Sequence, residues 1–452
     1  MTLLNELSAE VCQRARMSRD PRFDGRFFVA VKTTGIFCRP ICPANLPKEK
    51  NVEYFSSQAL AVSAGYRPCL RCRPESAPHS WAWKGAETTF LRALTLIEQG
   101  ELDGSLETLA SRLGISDRYL RQLFQRHLGM PPKQYAQIQQ LMFAKQLLHT
   151  SQISITEVAY ASGFQSTRRF NDAFQKLFRL TPTQVRRERA ALPSRNHLSL
   201  AFRGPFDWAH MLDFYRLRAI EGMELVDEQS YQRHFVLGEG TGWFKASMAQ
   251  SHLDIEFEME RLSDLRHLVA RLRRMFDLDA DLISIEAHLE QLAPGLVRRT
   301  GIRIPGVWNA WEAGVRAVLG QQVSVKAAIG QLNLLVSTLA ASEGSTRYFP
   351  TPEQVQMSDL SFLRMPERRK ETLKRLADYV RLHPMDSPMA WLSLSGIGPW
   401  TVDYAQLRGE SRSHCFLTGD LIVKKALAKF PHLTAESVTP WGSYATFHCW
   451  SH

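Results

Sequence analysis

Apolar residues recur at i, i+3, i+4 and i+7 through LETLASRLG, YLRQLFQRHLG and YAQIQQLMFAKQLLHTS, which predicts amphipathic helices. ITEVAYASGF and RRFNDAFQKLFRLTP repeat the order of short helix, Gly and longer helix. The texture changes after residue 199. In HLDIEFEM, at 252–259, Leu253, Ile255, Phe257 and Met259 alternate with acidic residues, the period of a half-buried strand. RHFVLGEGTGWFKASM before it reads as two strands around a Gly turn. From about residue 262 the pattern is helical to the end, with a polar break near 341–350. Two further breaks, near 74–84 and 190–199, are rich in Pro, Ser and polar residues and separate these textures.

Composition makes the segments folded domains. The chain has 452 residues, 44% hydrophobic and 22% charged, enough for three or four cores and too apolar for a disordered chain. The net charge of +11 is uneven. Residues 1–195 carry 28 Lys+Arg against 16 Asp+Glu, and residues 196–452 carry 28 against 29. A basic front half predicts a polyanion-binding region joined to something with another job. Glu6 and Glu10 interrupt the first apolar stretch, so no secretory signal is expected. No run of 18 apolar residues occurs, so no membrane span or membrane partner is expected, and a cytoplasmic protein is.

Four of the seven cysteines cluster as Cys38-x3-Cys42 and Cys69-x2-Cys72, with prolines at 40, 43 and 68 turning the chain around them. That spacing suits one tetrahedral Zn2+ held by Cys38, Cys42, Cys69 and Cys72. TTGIFCRPICPANLPKEKNVEYF and AGYRPCLRCRPE closely resemble the N-terminal domain of the Ada adaptive-response family, over about residues 8–76. The resemblance implies that Cys38 accepts a methyl group from a DNA methylphosphotriester and is consumed in doing so. It also implies that Thr34 and Arg67 contact the DNA backbone. After Cys42 the family is often basic, whereas this chain has Pro43, Ala44 and Asn45.

LETLASRLGISDRYLRQLFQRHLGMPPKQY and ITEVAYASGFQSTRRFNDAFQKLFRLTPTQVRR each place a Gly, at 114 and 163, between a short and a longer helix. Ser116 and Ser166 are expected N-caps. Two such units joined by a helix at about 133–149 resemble the AraC-type DNA-binding domain. In that family the second helix of each unit enters the major groove, so Arg118, Arg121, Gln122, Arg168, Arg169 and Asn171 are the expected base readers.

In the back half, LSGIGPWTVDYAQL reads as a helix-hairpin-helix turn at Gly396-Ile397-Gly398, whose backbone N–H groups suit DNA phosphate. With Asp420 in CFLTGDLIVKKAL, VLGQQVSVKAA at 318–328, YFPTPEQV and PWGSYATFHCW, this stretch resembles the AlkA-type 3-methyladenine DNA glycosylase, over about residues 198–452. The resemblance implies Asp420 as catalytic carboxylate and a base pocket built from Phe214, Gln321, Trp400, Tyr404 and Trp450. It places Gln322 where the family has a leucine that wedges into the duplex, and Gly396, Gly398 and Thr401 against DNA. Aromatic faces favour an alkylated, cationic base over a normal one. Related lyases carry a Lys where this chain has Trp400, so no lyase step is expected, nor is an iron–sulfur centre. Trp208, Trp308, Trp311 and Trp391 read as core, and Cys415 and Cys449 as buried hydrophobes. The Pro-Cys-His-Arg motif of O6-methylguanine reversal is absent.

The expected fold class is therefore multidomain α+β. A small zinc domain occupies 1–78 and an all-α double helix-turn-helix domain 85–192. An antiparallel β/α subdomain follows at 197–285 and an all-α helix-hairpin-helix glycosylase domain at 286–452. The expected function is methyl transfer to Cys38, activation of repair genes, and hydrolytic excision of alkylated bases such as 3-methyladenine. The alternative is a sequence-specific transcription factor whose glycosylase-like module only binds DNA. Expected partners are damaged and promoter double-stranded DNA and RNA polymerase, with Zn2+ as cofactor and a monovalent cation at the hairpin turn.

Overall fold

A computed structural model of the chain describes residues 7–20, 23–69, 71–72, 74, 81–98, 100, 102, 105–187, 196–339, 342–343, 346–384 and 386–451. It divides into two compact units, residues 1–139 and 140–452. Among the described residues no helix is long and apolar enough to cross a membrane.

The first unit begins with α1 (Ala9–Ser18) and a four-stranded sheet with α2 (Gln58–Ser63) against it. Its strands are β1 (Phe28–Val31), β2 (Ile36–Cys38), β3 (Val52–Phe55) and β4 (Arg67–Pro68), in the order β3-β1-β2-β4, with β4 parallel to β2 and the other pairs antiparallel. Two small cores serve it, one around Cys12, Phe27 and Val29 and one around Phe28, Phe37 and Ala61. With so little apolar area, such a domain depends on a staple. α3 (Trp81–Glu98) follows, then α4 (Leu106–Arg112) and α5 (Asp117–Leu128). α3 begins inside the predicted break at 74–84, because Pro78 is the last proline before it and no residue of the helix itself lacks a backbone donor. α6 (Pro132–Thr150) runs across the division between the units.

The second unit opens with α7 (Ile155–Ala161), α8 (Thr167–Phe178) and α9 (Pro182–Arg187). Ser154 and Glu157 close a capping box at the start of α7. β5 (His197–Ala201), α10 (Trp208–Arg216), β6 (Glu224–Val226), β7 (Ser230–Leu237), β8 (Gly240–Met248) and β9 (His252–Met259) build an antiparallel sheet in the order β5-β9-β8-β7-β6. Leu253, Ile255 and Phe257 point into its core, as the alternation predicts. Gly238, with φ +61°, makes the tight turn between β7 and β8. The predicted break at 190–199 instead holds the start of β5. That strand is fixed by pairing with β9 some fifty residues later, a contact no local pattern reveals. One continuous buried cluster runs from Phe170 and Phe174 of the helix-turn-helix to Phe244, Phe257 and Trp308 beside the sheet.

Helices fill the rest: α11 (Leu265–Met275), α12 (Leu282–Leu292), α13 (Ala310–Gly320), α14 (Val325–Leu339), α15 (Pro352–Met357), α16 (Glu367–Leu382), α17 (Pro399–Gly409), α18 (Leu421–Leu427) and α19 (Gly442–Trp450). The helical expectation fails in two places. Residues 301–308 are irregular yet buried throughout, because Arg303 and Arg408 take up loop carbonyls. The polar break carries a short hairpin, β10 (Ser342–Glu343) with β11 (Thr346–Arg347). Trp208, Trp308, Trp311 and Trp391 are all buried, as are Cys415 and Cys449.

A closed charge network joins sheet to helices. Arg233 bonds Glu224 at 2.9 Å and Glu312 at 2.5 Å, and Arg316 bonds the same two carboxylates at 3.1 and 2.8 Å. Tyr231 donates to Glu224 at 2.6 Å. All four charged side chains are at most 6% exposed. Removing Glu312 leaves two buried guanidinium groups sharing the single carboxylate of Glu224, one positive charge uncompensated. Glu312→Ala is therefore expected to cost roughly 3–5 kcal/mol. Chemical denaturation of the full chain checks this; an unfolding midpoint at the wild-type position would contradict it.

Candidate functional sites

The metal centre is assembled by the parallel pairing of β2 with β4. Cys38 ends β2 and Cys69 follows β4; Cys69 N donates to Phe37 O at 3.0 Å, fixing the two sulfurs side by side. Cys42 and Cys72 complete the group, and the four sulfur atoms lie within 4.8 Å of one another. Tetrahedral Zn–S bonds of about 2.3 Å place sulfurs roughly 3.8 Å apart, so the arrangement fits Zn2+. The chemistry of the cluster asks for a cation. The hydrogen bond with Cys72, burial and the neighbouring sulfurs push the Cys38 thiol far up, while the same bond pulls Cys72 down to about 5. A divalent metal ion lets all four sulfurs be thiolates side by side. Cys38, Cys42, Cys69 and Cys72 form a Zn2+ site.

The sulfurs differ in their surroundings. Cys42 and Cys69 are buried; Cys38 and Cys72 are half-buried. Cys72 accepts from Arg39 N at 3.4 Å, and the Arg39 side chain is anchored on buried Asp24, with Nε 2.8 Å from Oδ1. A donated N–H draws charge from a thiolate, so the two half-buried sulfurs are not equivalent. Thr34 and Arg67 are both exposed beside this group, linked by Arg67 N donating to Gly35 O at 2.8 Å. Gly35, at φ +62°, makes the turn that presents Thr34.

The second helix of each helix-turn-helix unit has the predicted construction. Ser116 caps α5 through the N–H of Tyr119, and Ser166 caps α8 through that of Arg169. Gly114 and Gly163 lie at φ +68° and +83° in the turns before them. Leu120, Leu123 and Phe124 bury one face of α5 and leave Arg118, Arg121 and Gln122 exposed; Arg121 pairs with Asp117 at 3.4 Å. Phe170 and Phe174 do the same for α8, exposing Arg168, Arg169 and Asn171.

A cavity of about 440 Å3 lies between α10, the start of α14, α17, α18 and α19. Asp420 lines it as the N-cap of α18. Its Oδ1 accepts three N–H donors, from Ile422 at 2.8 Å, Val423 at 3.2 Å and the Trp450 indole at 3.1 Å. Its Oδ2 has no protein partner among the described residues. Trp400 and Tyr404, one turn apart on α17, stack with centroids 5.3 Å apart. Trp450 lies nearly parallel to Phe214, at 6.2 Å. The structure thus brings Phe214, Trp400, Tyr404, Trp450 and Asp420 into one cavity.

Two expected assignments move. Gln321 does not line the cavity; its Nε2 donates to Gly396 O at 3.1 Å and Thr401 Oγ1 at 3.2 Å. Thr401 is buried beneath that bond, so both residues brace the hairpin instead of facing base or DNA. Gly396, at φ +91°, passes so close to α16 that a Cβ would lie 2.1 Å from Thr372 Oγ1. Gly398 caps α17 and faces open space. Gln322 is exposed at φ +57°, a left-handed conformation uncommon for a side chain of this size.

Sequence reasoning missed the arginines. Arg218 lies over the Phe214 ring at 3.7 Å, and Arg408 lies 4.7 Å from the same ring and donates to Tyr404 OH at 2.9 Å. Burial works to raise the Tyr404 phenol, but Arg408, Arg218 and Arg316 together bring it below its ordinary value. Each missed arginine sits four residues after an aromatic already singled out, Arg218 after Phe214 and Arg408 after Tyr404. The i, i+4 rule was the signal available.

The sequence matches three family profiles: the metal binding domain of Ada at residues 11–75, a helix-turn-helix domain at 109–188 and the AlkA N-terminal domain at 197–309. A probable bifunctional transcriptional activator/DNA repair enzyme AlkA of Mycobacterium tuberculosis is 34% identical, across 98% of this chain and 96% of that protein. DNA-3-methyladenine glycosylase 2 of Escherichia coli is 33% identical, across 56% of this chain and 96% of its own length. The bifunctional transcriptional activator/DNA repair enzyme Ada of Escherichia coli is 34% identical, across 38% of this chain and 47% of that protein. Among solved structures, a methylated N-Ada/DNA complex is 35% identical, covering 29% of this chain and 98% of its own, with a TM-score of 0.26.

Proposed function

The chain belongs to the family of bifunctional transcriptional activator/DNA repair enzymes joining Ada-type and AlkA-type domains, and from that premise we propose that it both senses DNA alkylation and repairs it. The proposed division is a zinc methyl-acceptor domain at 1–78, a DNA reader at 85–192 and a glycosylase at 197–452. The observation that carries the glycosylase reading is Asp420, with one oxygen saturated by donors and the other unpartnered in an aromatic-lined cavity.

In base excision the flipped nucleotide enters the cavity. Trp400, Tyr404, Phe214 and Trp450 offer ring faces to an electron-poor purine; each such contact is worth about 0.5–2 kcal/mol for a cationic base. The C1′–N bond breaks and its electron pair leaves with the base. The free Asp420 oxygen stabilises the positive sugar and takes the proton of the water that adds at C1′. With Trp400 where related lyases have a Lys, the reaction ends at hydrolysis.

In methyl transfer, the Cys38 sulfur attacks the methyl carbon of a phosphotriester and the phosphodiester anion departs. Zinc, when bound, keeps that sulfur a thiolate at neutral pH. The product is a thioether, so each chain reacts once and the centre loses one negative charge. Beside DNA, one unit charge at 4 Å is worth about 1 kcal/mol in water and about 4 at an effective dielectric of 20. Several nearby phosphates turn this into an affinity switch for promoter DNA through Thr34, Arg67 and the exposed side chains of α5 and α8. RNA polymerase recruitment and a nucleoid location follow from an activator role.

A passive glycosylase-like module is the second reading, and polar Gln322 at the wedge position is the observation on its side. The deciding experiment incubates the full chain with methylated duplex DNA and measures free base. Release of 3-methyladenine in many turnovers per chain supports the enzyme; binding without release supports the passive module.

A further inference from the structure

His210, on α10, is the only imidazole among the described residues lining the base cavity, and the mechanism above does not use it. Its Nε2 is 3.3 Å from Ser451 Oγ, which lies 3.0 Å from the Phe447 carbonyl oxygen. A hydroxyl has one proton and a carbonyl only accepts. A Ser451 hydroxyl that donates to Phe447 O accepts from Nε2–H, so a protonated His210 spends one N–H on Ser451 and keeps the other at Nδ1. Nδ1 has no protein partner among the described residues and is not sealed off as a buried orphan. Ser451 also follows Trp450, whose indole holds Asp420 Oδ1, so α19 anchors His210 and the carboxylate together.

The two kinds of damaged base make different demands. A base carrying an alkyl group on a ring nitrogen is already cationic; it takes the electron pair of the C1′–N bond and departs neutral. An uncharged base departs as an anion unless a proton reaches it. On the glycosylase reading, we propose that His210 is a specificity-determining residue, which when protonated at Nδ1 donates to an uncharged departing base. The electron pair of the broken bond stays on the base, the Nδ1 proton joins the base, and water supplies hydroxyl to C1′ and its remaining proton to Asp420. His210 regains its proton from solvent. The lesions on which this proton acts are uncharged bases that present an acceptor nitrogen or carbonyl, deaminated purines among them.

The surroundings set the pH range. Burial lowers the His210 pKa, Arg299 adds to this, Asp207 and Asp213 oppose it, and Arg218 lowers it further. Arg299 is itself paired to Asp207 at 2.6 Å. The donor form accumulates only below the ordinary histidine value of about 6.5. Release of an uncharged base relative to a cationic one therefore increases as pH falls, on the order of tenfold per unit until the imidazole is protonated.

The test uses the full chain in single turnovers from about pH 8 to pH 5, with hypoxanthine and 3-methyladenine in otherwise identical duplexes. The readout is the ratio of the two release rates against pH. Wild type is expected to show a ratio rising toward low pH, and His210→Gln a flat one. Ser451→Ala, which removes the partner of Nε2, is expected to displace the wild-type curve along the pH axis. A flat wild-type ratio overturns the proposal, as does a His210→Gln curve matching wild type. If His210→Gln fails to fold, the wild-type and Ser451→Ala curves still decide. Release of 3-methyladenine with no hypoxanthine at any pH overturns this inference and leaves the glycosylase reading standing; release of neither base overturns both.

Discussion

Asp420→Asn is expected to slow release of 3-methyladenine from methylated DNA by on the order of 10^2–10^4-fold, about 3–5 kcal/mol of transition-state stabilisation. The substitution is nearly isosteric and retains an oxygen for the N–H groups of Ile422 and Val423. An Asn cap is about as good as an Asp cap, so α18 and the fold survive. What is lost is the negative charge on the free oxygen, which faces the sugar only when a nucleotide is flipped. Binding to undamaged DNA is expected to stay within a few-fold of wild type, separating chemistry from docking. Release at the wild-type rate would remove Asp420 from catalysis and favour the passive module.

The second large effect is expected at Cys38. Wild-type protein exposed to methylated DNA should gain one methyl mass on the peptide containing Cys38, and Cys38→Ala should gain none. Promoter affinity should increase on methylation of wild type and stay fixed in the variant. The difference should shrink as salt is added, since screening weakens charge effects between protein and phosphate. Cys69→Ala is the contrasting control. Cys69 is buried against Phe37, and structural Zn2+ is worth about 10–16 kcal/mol to a small domain. Its loss should unfold residues around the sheet, read as zinc release and lost α-helix and sheet signal. Methyl mass on Cys69 or Cys72 in wild type would overturn the assignment.

Much of the architecture was legible in the sequence where one element carries its own signal. The strand at 252–259 alternates because one face is buried, and the two Gly-marked helix pairs repeat because each must turn sharply between helices. The cysteine spacing announced a metal site, and the aromatics singled out with Asp420 line one cavity with it. Local pattern was blind to β5, which is held through β9, and to the buried irregular stretch at 301–308, whose backbone is satisfied by remote partners, Arg408 on Pro305 O, Tyr215 on Gly306 O and Met275 O on Gly306 N.

The sequence by itself determined which chemistry is available: four thiolates, two basic reading faces, a carboxylate and a set of aromatics. Only the tertiary structure decided which atoms are free to act. Asp420 is both cap and candidate catalyst because its two oxygens have different neighbours, one holding three N–H groups and the other none. Gln321 and Thr401 were expected at base and DNA and instead bond to each other beneath the hairpin. His210 entered the site from α10 and Arg218 from just beyond its end, and Arg408 packs behind the site against Phe214 and Tyr404. The physical reason is that residue type fixes what a group can donate, accept or attack, whereas burial and hydrogen-bond partners, set by segments far apart in sequence, fix which of those capacities remains unspent.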